Sequence, residues 1–81
     1  MPRYLIERTF AGEVRIPDEI VDRNEDAGVT WLQSFVSDDG RTMFCVYEAP
    51  TPEAIRRAAR ANGLPVDRIA QVRVLDPHAY G

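Results

Sequence analysis

Phe44-Cys-Val-Tyr-Glu-Ala-Pro-Thr-Pro-Glu-Ala-Ile-Arg-Arg-Ala-Ala-Arg-Ala-Asn-Gly-Leu-Pro-Val-Asp-Arg-Ile69 is the stretch that decides the fold. Its first residues are apolar and β-prone, and they end a strand expected over about 41–48. Thr51 is a good N-cap. Pro52 stands at the first helical position, where its missing N–H costs nothing, and Glu53 lies near the positive end of the helix. Ile55, Ala58 and Ala59 recur as an apolar stripe, leaving Arg56, Arg57 and Arg60 for solvent. Gly63 ends the helix, Pro65 forbids its continuation, and another strand is expected from about residue 67.

Residues on either side complete the pattern. Positions 3–10 alternate and are rich in Tyr, Leu, Ile, Thr and Phe, which predicts a first strand. Pro17-Asp18-Glu19 opens a helix over about 18–27, with Ile20, Val21, Asn24 and Ala27 at helical spacing and Gly28 as its stop. A second strand follows over 29–37. Asp38-Asp39-Gly40 then turns the chain, because Asp-Gly tolerates the positive φ that tight hairpins require. The last strand covers about 67–75, and Asp76-Pro77 closes it. The order is βαββαβ. Right-handed crossovers in both strand-helix-strand units give an antiparallel sheet of order 4-1-3-2 with both helices on one face. This is the ferredoxin-like α+β sandwich, expected as one domain over residues 1–81.

One sheet face is then left uncovered. Simple alternation puts Trp31, Gln33 and Phe35 on one face of the second strand and Leu32, Ser34 and Val36 on the other. Met43, Cys45 and Tyr47 oppose Phe44, Val46 and Glu48 in the same way. Neither face is polar, as a solvated face should be. An apolar face without a helix over it suits an interface, so a homodimer packed through its sheets is expected.

Composition narrows the classes of function. The net charge of −3 gives no electrostatic case for nucleic acid or an anionic membrane. All ten basic residues are arginines, which suits interface ion pairs but is explained more simply by genome composition. No apolar run approaches the ~20 residues of a membrane span, and Met-Pro-Arg-Tyr lacks a signal-peptide core. A single cysteine excludes an internal disulfide. A cytoplasmic protein is the expectation.

Few residues offer chemistry. His78 is the only histidine, and it falls in the tail. Cys45 lies in an apolar strand and reads as a small buried hydrophobe. The Asp38-Asp39 pair is explained by its turn. Glu19, Asp22, Glu25 and Asp26 form the wet face of the first helix. There is no phosphate-cradling glycine loop and no Ser/His/Asp set.

Val29-Thr-Trp-Leu-Gln-Ser-Phe-Val36, the Asp-Gly turn, Phe44-Cys45, and the helix opened by Pro50-Thr51-Pro52-Glu53-Ala54 and closed by Gly63-Leu64-Pro65 carry a resemblance. The chain resembles a family of small bacterial proteins catalogued as a domain of unknown function, some members of which are described as nickel-binding. The resemblance runs from Tyr4 to about Leu75. It implies a ferredoxin-like fold and a dimer. Metal-binding members have histidines in the helices, notably in the one matching residues 53–62, and often one in the second strand where this chain has Gln33. Gln71 stands where a carboxylate is common. The resemblance therefore implies nickel, while the substitutions remove the imidazoles and carboxylate that would hold it.

Two functions compete. The preferred one is a dimeric non-enzymatic binding protein that holds a small organic ligand or a divalent metal between sheet and helices. The alternative is an enzyme of the dimeric α+β-barrel type acting on a small molecule. Trp31, Gln33 and Tyr47 are the expected pocket residues in either case, joined by Glu7 and Glu48, one of which would serve the enzyme as base. His78 is the single metal candidate besides those carboxylates.

Overall fold

A computed structural model of the chain describes residues 1–12 and 14–80. Four strands, β1 (Arg3–Thr9), β2 (Thr30–Val36), β3 (Thr42–Glu48) and β4 (Arg68–Val72), form one antiparallel sheet in the order β2-β3-β1-β4. Two helices, α1 (Ile20–Asp26) and α2 (Pro52–Asn62), complete the expected βαββαβ order.

The second helix forms where local chemistry directs it. Thr51 Oγ1 accepts from the Ala54 N–H at 3.3 Å, and Pro52 starts the helix. At the other end Gly63 adopts φ 66°, a left-handed conformation that suits glycine. That turn lets the Leu64 N–H reach the Ala59 carbonyl oxygen at 2.9 Å. Between the caps, Ala54, Ile55, Ala58, Ala59 and Asn62 are buried. Of these, Ala54, Ile55 and Ala58 pack with Tyr4, Ile6, Cys45 and Tyr47 of the sheet in one buried core.

Two expected boundaries move by two residues or more. The first helix begins at Ile20, because Pro17-Asp18-Glu19 forms a turn closed by the Ile20 N–H to Pro17 carbonyl bond at 3.2 Å, with no side-chain cap. Strand β4 ends at Val72 because its only neighbour, β1, ends there: Val72 pairs with Arg3. Beyond it, Pro77–Ala79 form a short 3-10 turn in the tail.

The larger correction concerns β2. Trp31 pairs with Tyr47, but Gln33 pairs with the next residue, Val46, so Leu32 is inserted as a bulge. Side chains beyond the bulge change sides. Trp31 shares the helix-side face with Tyr47, whereas Gln33 and Phe35 share the open face with Val46 and Phe44. Trp31, Gln33 and Phe35 therefore do not share one face as alternation predicts. The open face carries Leu5, Phe44, Val46, Ala70 and Val72, all half-buried, and Phe35, which is 54% exposed.

Candidate functional site

The bulge controls what lies between sheet and helices. It brings Trp31 to the helix side, and the indole Nε1–H donates to Ser34 Oγ at 2.7 Å. That bond fixes the edge of the ring and leaves its faces for apolar contact. Trp31 then lines a groove of about 520 Å³ with Val21, Asn24 and Glu25 of α1 and with Gly28 and Val29 just after it. The chain turns sharply there, with the Val29 N–H donating to the Asn24 carbonyl oxygen at 2.8 Å.

Behind the groove is a buried polar cluster. Asn62 Nδ2 of α2 donates to Asn24 Oδ1 of α1 at 3.1 Å and to the Ala58 carbonyl oxygen at 3.0 Å, tying the helices together. Arg8, 1% exposed, projects from β1 under the helices. Its Nη1 donates to the Pro65 carbonyl oxygen at 2.7 Å, and its guanidinium lies 5.8 Å from the centroid of the Tyr47 ring. No carboxylate pairs with it among the described residues, and Arg8 Nε makes no hydrogen bond. Tyr47 is itself buried, which pushes its phenol above the ordinary range. The positive charge of Arg8 opposes that shift without cancelling it.

The expected site residues divide between two faces. Trp31 and Tyr47 are opposite one another on the helix side. Glu7 pairs with Phe44 and Arg68, and Glu48 with Arg3 and Thr30; both are half-buried on the open face, where Gln33 stands exposed opposite Val46. One pocket cannot hold all five within a single chain, and neither glutamate approaches Trp31 as a base. The sequence does not mark Arg8 or Asn24 as site residues. Arg8 follows Tyr4 and Ile6 at the strand period of two, which is the signal that places it inward.

A metal ion finds little here. No group of three His, Cys, Asp or Glu that could hold one occurs among the described residues. His78 is exposed in the tail turn and Cys45 is fully buried. The donor set does not fit nickel, whose affinity depends on converging imidazoles. No described helix is long and apolar enough to cross a membrane.

Comparison with known proteins agrees with this fold. The structure of SCO4226 from Streptomyces coelicolor A3(2) superposes with a TM-score of 0.70 over 91% of this chain and 99% of that one, at 18% identity. At that identity the likeness establishes the fold. No curated protein matches the chain. Residues 4–72 match the sequence profile of the nickel responsive protein SCO4226-like family, nearly the whole βαββαβ unit, and the chain belongs to that family.

Proposed function

We propose that the chain is a small, cytoplasmic, non-enzymatic homodimer that binds a small ligand on the helix side of its sheet and holds nickel weakly or not at all. The donor set carries this reading. The family is named for nickel responsiveness, yet the one histidine of this chain sits in an exposed tail turn and its one cysteine is buried. The described residues offer no three-ligand cluster in its place. The apolar open face supports the dimer, because exposed Phe35 and the half-buried Leu5, Phe44, Val46, Ala70 and Val72 gain burial only against another surface. A second copy is the simplest such surface, since a twofold axis pairs one patch with itself. A stable contact of this kind buries roughly 800 Å² per partner.

Glu7 and Glu48 stand on the open face, away from Trp31, so the enzyme alternative loses the two bases it was expected to use. Native mass spectrometry of protein purified without added metal tests the proposal, since it reports mass and bound species together. A dimer without nickel is expected. A monomer of 9.2 kDa, or a dimer carrying stoichiometric nickel, would overturn it.

A further inference from the structure

The groove between α1 and β2 has a chemistry that points to a class of ligand. Its platform is Trp31, the one tryptophan of the chain. The indole N–H is already engaged by Ser34 Oγ, so the ring presents its faces and little else. Val21 and Val29 add apolar walls. Glu25 is the only charged side chain among the described residues that line the groove, which Thr30 and Met1, the residue that bears the α-amino group, line as well. Glu25 belongs to a helix whose other acidic residues, Asp22 and Asp26, are exposed. A single carboxylate beside an indole face complements a positive charge carried on an apolar frame. The volume of about 520 Å³ falls in the range of small-molecule sites.

We infer that this groove binds a small organic cation, an ammonium group on an aromatic or aliphatic frame, with the cation over Trp31 and within reach of the Glu25 carboxylate. An anion is repelled by that carboxylate, and a neutral isostere loses both charge-dependent contacts. The cation–indole contact alone corresponds to roughly 2- to 30-fold in affinity. The inference rests on the reading of the chain as a small-ligand-binding protein, but on neither its dimer nor its nickel. The groove lies on the helix side of the sheet and stays open whether or not the other face is paired.

Titration of the full chain at pH 7 with phenethylamine, 2-phenylethanol and phenylacetate tests it, read by Trp31 emission and by amide chemical shifts. Phenethylamine is expected to saturate in the millimolar range, with shifts confined to α1, residues 28–31 and the indole. The alcohol should bind at least about fivefold more weakly and the acid without saturation. Glu25→Gln should weaken the ammonium about 2- to 5-fold, as befits an exposed charge. Val21→Arg, at a position 62% exposed, places a guanidinium at the mouth without disturbing the core and should weaken binding more than about tenfold. Equal affinity for alcohol and ammonium would overturn the inference. So would ammonium binding unchanged in both folded variants, or no saturable response up to on the order of 20 mM. A monomeric mass or tight nickel binding would refute the preceding proposal and leave these outcomes unaltered.

Discussion

Arg8 Nη1 donates to the Pro65 carbonyl oxygen at 2.7 Å, joining β1 to the segment that follows α2. The bond locks the strand to the end of the helix across 57 residues of sequence. It is made by a guanidinium that is 1% exposed and has no carboxylate partner among the described residues. Burying a charge costs free energy that one carbonyl and one aromatic face only partly offset. Arg8→Met is therefore expected to keep stability within about 1.5 kcal/mol of the parent, because it fills the space without carrying the charge. Arg8→Ala should lose about 2–4 kcal/mol through the cavity it leaves. Urea unfolding measures both. A loss in the Met variant equal to that in the Ala variant would show that the charge is needed.

Tyr47 makes stability sensitive to alkali. Burial raises its phenol above the ordinary value of about 10. A group whose pKa is raised on folding contributes stability that is fully present below the unfolded value. That contribution disappears as pH climbs from about 10 through the folded value. Tyr47→Phe should therefore flatten the fall of the denaturation midpoint above about pH 10 relative to the parent. The same slope in both proteins would assign the alkaline loss to other groups.

Cys45 is fully buried between Phe44 and Val46 and faces the core. Its thiol should react with a disulfide reagent only through opening of the fold, at a rate set by that opening. Native labelling should therefore be slower than that of free cysteine by orders of magnitude, and urea should restore the rate. Fast labelling without denaturant would contradict the burial.

How much of this was legible depended on whether each signal was local. Thr51, Pro52 and Gly63 mark both ends of α2 by short-range chemistry, so its span was readable without tertiary information. Strand order followed from the handedness of two crossovers. The bulge at Leu32 was not legible, because the paired apolar and polar residues from Trp31 to Val36 fix no strand period and only pairing with β3 reveals the inserted residue. That one insertion divides the expected site, taking Trp31 to the helices and leaving Gln33 on the open face. Arg8 presented the opposite difficulty. Its strand position directed it inward while its charge argued for solvent, and the Pro65 carbonyl and the Tyr47 ring lie too far along the chain to be foreseen.

The proposed dimer should break at the open face. Phe44 and Val46 lie at the middle of that face and are half-buried in one chain. A charge at either position would be tolerated by a free chain but desolvated in a sheet-to-sheet contact. Val46→Glu should shift the mass from dimer to monomer in light scattering at micromolar concentration, with the circular dichroism of the fold retained. Arg56→Glu, exposed on α2 away from that face, should leave the mass unchanged. Dissociation by Arg56→Glu with a Val46→Glu dimer intact would place the contact on the helices instead.

Nickel binding tests the family resemblance against ligand supply. His78 occupies a three-residue turn, Pro77–Ala79, whose Asp76 carboxylate accepts from the His78 backbone N–H at 2.9 Å. One imidazole and one neighbouring carboxylate are two donors, short of the set a divalent transition ion needs for tight binding. Both are exposed, so gathering them around an ion also costs side-chain entropy. Two tails brought together in a dimer would supply two imidazoles, which is the one route to a shared site. Calorimetry of metal-free, tag-free protein at neutral pH should therefore give a dissociation constant weaker than about 10 μM, in the weak range for a specific ion site. His78→Ala should abolish whatever heat is seen. Submicromolar affinity that survives His78→Ala would show that other residues of this chain supply the missing donors, and the proposed loss of nickel would be wrong.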